Sequence, residues 1–194
     1  MITLEARRGQ AADGDAWAAV GLSRSGLARF LGEAQRAVGL RGGVDVLLAN
    51  DKTLRRLNRE FRGKDKATDV LSFPAAEEFA EEHVGDLAIS LDTAARQARE
   101  HGHGLRDELR VLLLHGLLHL RGMDHETDRG EMAAREAELR EKLRLPHGLI
   151  ARVEGAPASR RRANAKAATK SVPRFGLRDA SRGKAAVTKK KVKA

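Results

Sequence analysis

Three histidines in one short segment, HGLLHLRGMDH, have the spacing of metal ligands: His115, His119 and His125 stand at H-x3-H-x5-H. On a helix, residues four apart lie one turn apart on the same face, so the first two imidazoles can reach one ion. Gly122 can end that helix in a left-handed turn, which lets the chain return with the third imidazole. Three neutral imidazoles that leave one coordination position free are typical of a catalytic zinc site. Such ligands also suit nickel, copper or iron.

The residue after the first histidine limits the chemistry of such a site. The same spacing with a glutamate at that position, HExxHxxGxxH, is the motif of the metzincin peptidases. That glutamate is the general base that activates the metal-bound water for peptide hydrolysis. Here the position is Gly116, which cannot accept a proton. A metalloprotease therefore remains only as an alternative, in which the base comes from outside the motif.

A second group of candidate functional residues lies in the segment FRGKDK, residues 61–66. It presents Arg62, Lys64 and Lys66 around a glycine, just before a predicted strand. The planar guanidinium of arginine suits bidentate binding of a phosphate group. Runs of charge are more often solvated turns, and composition alone favours that interpretation.

The net charge of +10 is distributed very unevenly along the chain. Residues 155–194 contain 13 Lys/Arg and one acid, whereas residues 1–154 contain 24 Lys/Arg and 26 Asp/Glu. Apolar residues are scattered beyond 155, so no core can form there. We therefore predict a folded metal-dependent hydrolase domain over 1–154 and a disordered Lys/Arg-rich tail over 155–194.

Composition excludes several other classes of function. The chain has no cysteine, which excludes disulfides, cysteine metal ligands and a thiol nucleophile. No apolar run is long enough for a signal peptide or a membrane span, which predicts a cytoplasmic protein with no membrane partner. Aromatic residues make up 3% of the chain and tyrosine is absent. Few rings can stack on bases, so contacts with a nucleic acid should run through phosphates and sugars.

Hydrophobic patterning predicts one α+β domain, in which a small mixed sheet of about four strands is packed by about five helices. The predicted strands are 2–4, 44–48, 69–73 and 85–89. The predicted helices are 21–38, 51–58, 92–100, 107–120 and 127–143, with Asp92 as the cap of the third. The fourth helix carries the first two histidines and is apolar almost all round, so we expect it to be buried. Residues 62–66 and 75–83 are predicted loops, and His101 and His103 are predicted to be solvated.

Three segments in this order, FRGKDKATDVLSFP, GDLAIS and HGLLHLRGMDHE, resemble the YbeY family of bacterial endoribonucleases, which take part in ribosomal RNA maturation. The family pattern is close to LNxxyRgkdkpTDVLSFp, then lGDIxIS, then HGxLHLxGyDHe. The resemblance covers roughly residues 44 to 143. Phe61 and Met123 replace a frequent tyrosine and Ala67 a frequent proline, and none of these three is a predicted ligand.

The resemblance implies a zinc-dependent hydrolase with His115, His119 and His125 as ligands and Arg62 as the essential arginine. It also implies a single-strand-type endoribonuclease that matures the 3′ end of small-subunit ribosomal RNA and acts in ribosome quality control. The implied partners are ribosomal RNA, the small ribosomal subunit, and ribosomal or GTPase assembly proteins. A non-catalytic ribosome-assembly factor with a structural metal is a further alternative.

The roles of the charged residues near the histidines stay open at this point. Arg62, aided by Lys64 or Lys66, would hold a phosphate and stabilise the charge that develops on it. Asp124 is the carboxylate nearest in sequence to the predicted ligands. It acts either as a general base or as a partner that orients an imidazole, and the second role is favoured.

The tail leads to a prediction of its own. Its cations can displace counterions condensed on RNA, so deleting 155–194 should weaken RNA affinity and flatten its salt dependence. The cleavage site itself should be unaffected. The residues expected to contact RNA are Arg160, Arg161, Arg162, Lys189, Lys190 and Lys191. Binding measured over a range of salt concentrations tests this, and an unchanged salt slope would reduce the tail to a solubilising extension.

Overall fold

The computed structural model describes residues 1–5, 17–79 and 82–146. The elements with described bounds are β1 (Ile2–Leu4), α1 (Arg24–Val38), β2 (Gly43–Ala49), α2 (Asp51–Arg62), β3 (Val70–Pro74), β4 (His83–Ser90), α3 (Leu91–Glu100), α4 (Leu105–Leu120) and α5 (Glu131–Lys142). A short 3-10 helix, Glu77–Phe79, lies between β3 and β4. The predicted α+β class is confirmed. The predicted tail, 155–194, lies outside the described residues.

The four strands form one mixed sheet in the order β1-β2-β4-β3. β2 pairs in parallel with β1 and β4, whereas β3 pairs antiparallel with β4 and forms an edge of the sheet. Parallel strands are usually covered on both faces, which agrees with the nearly continuous apolar runs of β2 and β4. Both faces of this sheet must therefore carry helices.

Alternating side chains divide the core between the two faces of the sheet. One face packs α1 and α4, and its strand residues include Val44, Val46, Leu48, Leu87 and Ile89. The other face packs α2, through Leu54 and Leu57, against Ala49, Leu71, Phe73 and Ala88. The histidine helix and α2 therefore lie on opposite faces of the same sheet.

The helix that carries the first two histidines is buried along most of its length, as predicted. Twelve of the 16 residues of α4 are buried, including His115 and His119. Although α4 is strongly apolar, neither it nor any other helix in the described ranges is long and apolar enough to cross a membrane. Burial on this scale fixes the rotation of α4 and hence the direction of its two imidazoles.

Gly116 lets α4 lie unusually close to the sheet. A Cβ atom at this position would lie 2.8 Å from Cδ2 of Leu87 and 3.4 Å from Oγ of Ser72. The Ser72 hydroxyl also donates a hydrogen bond to the Gly116 carbonyl oxygen, at 3.3 Å. At the position where metzincins have the catalytic glutamate, this protein therefore has a glycine that packs against the sheet.

The prediction that Arg62 begins a loop is wrong, because α2 continues four residues past its predicted end. Arg62 is the last residue of this helix. The helix ends at Gly63, which adopts a left-handed conformation with φ 71° and donates its N–H to the Arg59 carbonyl oxygen. Arg62 is therefore held by a rigid element rather than by a flexible turn.

Side-chain capping moves two further helix boundaries. Ser90 rather than Asp92 caps α3, because the Ser90 hydroxyl accepts a hydrogen bond from the Thr93 N–H at 3.1 Å. α5 begins at Glu131 rather than 127. The Asp128 carboxylate accepts hydrogen bonds from the N–H groups of Gly130 and Met132, each at 2.8 Å, which holds the preceding turn outside the helix.

Two predictions outside the helices are also corrected. His101 is exposed, as expected, but His103 is not solvated, because its Nε2 pairs with the carboxylate of Glu108. Glu108 is fully buried in the first turn of α4, where a lone carboxylate would be unfavourable. The predicted loop 75–83 contains the 3-10 turn and ends at His83, with which β4 already begins.

Replacing Gly116 by alanine should destabilise the protein by about 1–3 kcal/mol, because the new methyl group overpacks the contact between α4 and Leu87. Gly32 on α1 is the matched control, since a Cβ there would meet only the Arg36 side chain, at 3.6 Å. Gly32→Ala should raise stability by up to about 1 kcal/mol, because alanine favours the helix. Urea denaturation measures both effects. Equal stability of Gly116→Ala and the wild type would contradict a tight contact.

Candidate metal centre

The three histidines of the opening motif converge at the C-terminal end of α4. After the helix ends at Leu120, Gly122 adopts φ 97° and donates its N–H to the His119 carbonyl oxygen. This is the left-handed turn that the sequence predicted, and it returns the chain so that His125 faces the helix. The ring centroids of His115 and His119 lie 4.8 Å apart, and each lies 5.3 Å from that of His125.

The spacing of the ring nitrogens suits a single metal ion. One nitrogen from each histidine can be chosen so that all three lie within 4.8 Å of one another. Nε2 of His115 lies 3.2 Å from Nε2 of His119. Two nitrogens bound to one tetrahedral zinc at 2.0–2.1 Å would be separated by roughly 3.3 Å. His115 and His119 therefore already have the spacing of metal ligands, and His125 lies close enough to complete the donor set.

Hydrogen bonds on the far side of two rings select the nitrogen that is left for a metal. Nδ1 of His119 donates to the Met123 carbonyl oxygen at 3.0 Å, and Nδ1 of His115 donates to Oε2 of Glu136 at 2.8 Å. Each ring therefore keeps its proton on Nδ1 and presents the lone pair of Nε2 to the centre.

The electrostatics of the cluster favour the neutral ligand form. Burial lowers the pKa of His119 to about 3, and the neighbouring His115 and His125 act in the same direction. A histidine with a pKa this low is unprotonated at neutral pH. Metal coordination requires this state, because a protonated imidazole has no free lone pair.

Glu136 and Arg140 support the centre, and the sequence analysis missed both. Oε1 of Glu136 pairs with the Arg140 guanidinium, and Arg140 in turn donates to the Pro146 carbonyl oxygen at 2.9 Å. Burial alone would raise the pKa of Glu136, but the hydrogen bonds and charges of His115 and Arg140 outweigh it and lower this pKa. The sequence contained one indication of the role of Glu136, because this residue lies on the same face of the helix as the buried Met132 and Leu139.

Arg62 approaches the segment that carries the third histidine. Its NH2 lies 3.6 Å from Oε1 of Glu126, the residue after His125, and its side chain is 13% exposed. Lys64 and Lys66 lie on the exposed loop after α2. Of these three predicted phosphate contacts, the structure brings Arg62 beside the histidine segment and leaves the two lysines in solvent.

Asp124 shapes the turn between the second and third histidines. Its Oδ1 accepts a hydrogen bond from the Glu126 N–H at 3.2 Å, and its carbonyl oxygen accepts from the N–H groups of Thr127 and Asp128. It also lines an open groove of about 520 Å³, together with Gly122, Met123, Thr127, Asp128, Arg129 and Glu131. These contacts hold the backbone on either side of His125.

A second cluster of metal-ligand types in the described residues consists of Asp45, His83 and Asp86. Nε2 of His83 lies 3.0 Å from Oδ1 of Asp86, and Oδ1 of Asp45 lies 2.5 Å from the amino group of Met1. These groups pair with one another and with the end of the chain. The cluster therefore ties together β1, β2 and β4.

Comparison with known proteins identifies the family. The family model described as Endoribonuclease YbeY matches residues 24–144. The chain belongs to the YbeY family. An Endoribonuclease YbeY from Koribacter versatilis is 56% identical over 132 residues, which are 68% of this chain and 85% of that protein. Another from Solibacter usitatus is 52% identical over 133 residues, or 69% and 88% of the two chains.

A solution structure of TM1509 from Thermotoga maritima is also similar to this chain, with 27% sequence identity and a TM-score of 0.48. The similarity covers 82% of this chain and all of that one. The predicted resemblance to YbeY over roughly 44–143 is thus confirmed by the family model, whose match also includes α1. The matched range contains the three histidines, Arg62 and the pair of Glu136 and Arg140.

Removing the charge of Glu136 should weaken metal binding. Glu136→Gln keeps a hydrogen-bond acceptor for His115 but loses the carboxylate that makes this imidazole a stronger ligand, so we expect roughly 10-fold to 100-fold weaker zinc affinity. Glu138→Gln is the matched control, because Glu138 lies on the exposed side of the same helix and pairs with Arg135. Competition with a chromophoric chelator measures both affinities.

The effect of Glu136→Gln on the stability of the protein must be separated from its effect on zinc affinity. Glu136→Gln removes the charge that pairs with the buried Arg140, so the metal-free variant should also unfold more easily. Zinc affinity is therefore compared at a temperature at which circular dichroism shows both metal-free variants to be folded. Equal affinity of the two variants under those conditions would exclude a role for Glu136 in tuning His115.

Proposed function

We propose that this protein is a metal-dependent endoribonuclease that hydrolyses phosphodiester bonds in RNA, with zinc held by His115, His119 and His125. The observation that carries the proposal is the convergence of three imidazoles, two of them held with Nε2 towards a common point, beside an arginine. RNA is proposed as the substrate because the similar proteins from Koribacter versatilis and Solibacter usitatus are named endoribonucleases. A zinc ion bound there would supply Lewis acidity and make water a nucleophile at neutral pH.

Arg62 is proposed to bind the scissile phosphate. Its present partner, Glu126, is 52% exposed and lies at the long distance of 3.6 Å, so the ion pair between them is weak. A phosphate group offers two oxygens to the forked guanidinium and can displace the glutamate. Because α2 holds Arg62 rigidly, its charge is already in place when negative charge develops on the phosphate.

Asp124 is proposed to be a positioning residue, and Glu136 acts in the same way on His115. The contacts of Asp124 hold the backbone around His125, which favours this role over that of general base. The two residues act on different ligands and from different elements. Together they keep the imidazoles in place while a substrate enters the groove that Asp124 lines.

The peptidase alternative is disfavoured by packing as well as by the residue type. Gly116 stands where a metalloprotease needs its glutamate, and a side chain there would collide with Leu87. A metalloprotease would need a base from another element. A non-catalytic assembly factor would use the same histidines only to stabilise the fold, and experiment can distinguish it from an enzyme.

From the resemblance to the YbeY family, we further propose that the protein acts at the 3′ end of small-subunit ribosomal RNA and in ribosome quality control. The same resemblance suggests contacts with ribosomal or GTPase assembly proteins. Lys64, Lys66 and the tail are proposed to add phosphate contacts around the site. Zinc is proposed because three imidazoles with one free position are the donor set of catalytic zinc sites. Nickel, copper and iron accept the same ligands, and quantification of the bound metal in the purified protein distinguishes them.

Cleavage assays should distinguish the three functions. With structured and single-stranded RNA and with unfolded protein as substrates, we expect cleavage of RNA alone. His119→Ala should lose both metal and activity. Arg62→Ala should keep its metal but lose about 100-fold to 1,000-fold in kcat/KM, because one charged donor to the phosphate is removed.

Arg121→Ala is the matched control, since Arg121 is an exposed arginine at the end of α4. It should cleave RNA like the wild type. Full activity of Arg62→Ala would exclude the phosphate contact. Cleavage of protein but not RNA would establish the peptidase, and a metal-bound protein inert on both would establish the assembly factor.

A further inference from the structure

We propose that the exposed face of α2 is a track for the RNA backbone that leads substrate to Arg62. The inference rests on the proposed function, because it extends the same site to the RNA on one side of the cleaved bond. Its ligand is the row of phosphates in a single strand, bound without regard to base sequence. The members of the track are Lys52, Arg55, Arg59 and Arg62.

The four cations form a stripe along the helix. They stand at positions i, i+3, i+7 and i+10, which places them within an arc of about 80° on an α-helix. The stripe is about 15 Å long, from the rise of 1.5 Å per residue. Lys52, Arg55 and Arg59 are exposed, and Arg62 at the end of the stripe is half-buried. A linear row of cations on a rigid helix suits a linear row of phosphates.

Packing of the opposite face fixes the direction in which the stripe points. Leu54 and Leu57 are buried against the sheet, and the Phe61 ring packs edge-to-face on Phe73 with centroids 5.3 Å apart. At the start of the helix, the Asn50 side chain accepts a hydrogen bond from the Thr53 N–H. α2 therefore cannot rotate to bury its cations, and Lys52, Arg55 and Arg59 remain in solvent.

The stripe ends beside the segment that carries the third histidine. Arg62 is its last member, and Arg62 reaches Glu126 beside His125. A strand whose phosphates lie along Lys52, Arg55 and Arg59 would thus be delivered to the arginine proposed to hold the scissile phosphate. This continuity distinguishes α2 from an ordinary solvated basic helix.

The region of α2 carries a local excess of positive charge. Residues 51–66 contain seven Lys/Arg and three Asp/Glu, whereas residues 1–154 as a whole contain slightly more acids than bases. Arg56, Lys64 and Lys66 lie beside the stripe and are exposed. This excess of charge should attract an anionic polymer to α2.

Asp65 holds two cations of the stripe in the absence of RNA. Its carboxylate accepts two hydrogen bonds from the Arg55 guanidinium, at 2.8 and 2.7 Å, and lies 3.8 Å from Arg59. These contacts lower the pKa of Asp65, so the carboxylate is charged at neutral pH. The pairs are exposed, so water and salt screen them, and phosphate oxygens can compete with the carboxylate for the guanidinium groups. Asp65 therefore competes with RNA for Arg55.

The test compares two double variants with the same change in charge, in the full-length, metal-loaded protein. Arg55→Gln/Arg59→Gln removes two cations from the stripe. Arg29→Gln/Arg36→Gln removes two exposed cations from α1, which packs on the opposite face of the sheet. Asp65→Asn removes the competing carboxylate. Binding of a fixed single-stranded RNA is measured over a range of salt concentrations, and KM is measured for its cleavage.

We expect the α2 double variant to lose roughly 10-fold in affinity, to raise KM similarly, and to lower the salt slope by about 1.4, since each lost contact with a single strand removes about 0.7. The α1 variant should remain close to the wild type, and Asp65→Asn should bind RNA more tightly. Equal losses in the two double variants would overturn the track while leaving the proposed function intact. A wild type that neither binds nor cleaves RNA would overturn both.

Discussion

The close contact between α4 and the sheet at Gly116 is the constraint on which the candidate site depends. It allows the Ser72 hydroxyl to reach the helix backbone and brings Leu87 against the helix axis. Because α4 is buried along most of its length, this contact determines both its depth and its rotation. The two imidazoles on α4 are therefore placed by core packing rather than by a flexible loop, as an open metal site requires.

Burial of a charged network is the second feature that organises this centre. Glu136 and Arg140 are almost fully buried, and their cost of desolvation is offset by pairing with each other and with His115. The network links a candidate ligand on α4 to α5 and to the Pro146 carbonyl oxygen. α5 thus contributes to the candidate metal centre although no metal ligand is proposed on it.

Much of the fold was predictable, because its signals are local. The apolar runs of the strands and the helical period of α1 and α4 identified the elements, and Gly122 correctly predicted the turn that returns His125. Errors arose where a side chain competed for backbone groups. Asp128 delays the start of α5 by accepting hydrogen bonds from the N–H groups of Gly130 and Met132, and the apolar pattern alone does not show which N–H groups a side chain will bind.

From its amino acids alone, the chain specifies three imidazoles at ligand spacing, a glycine in place of a peptidase base, and an arginine suited to phosphate. These are properties of residue type and short-range spacing, which helix geometry converts directly into position. Tertiary structure alone decides that Arg62 comes to lie beside the histidine segment and that Glu136 accepts a hydrogen bond from His115. Each contact joins elements far apart in the chain, and its geometry follows from how α2, α4 and α5 pack around one sheet rather than from any local pattern.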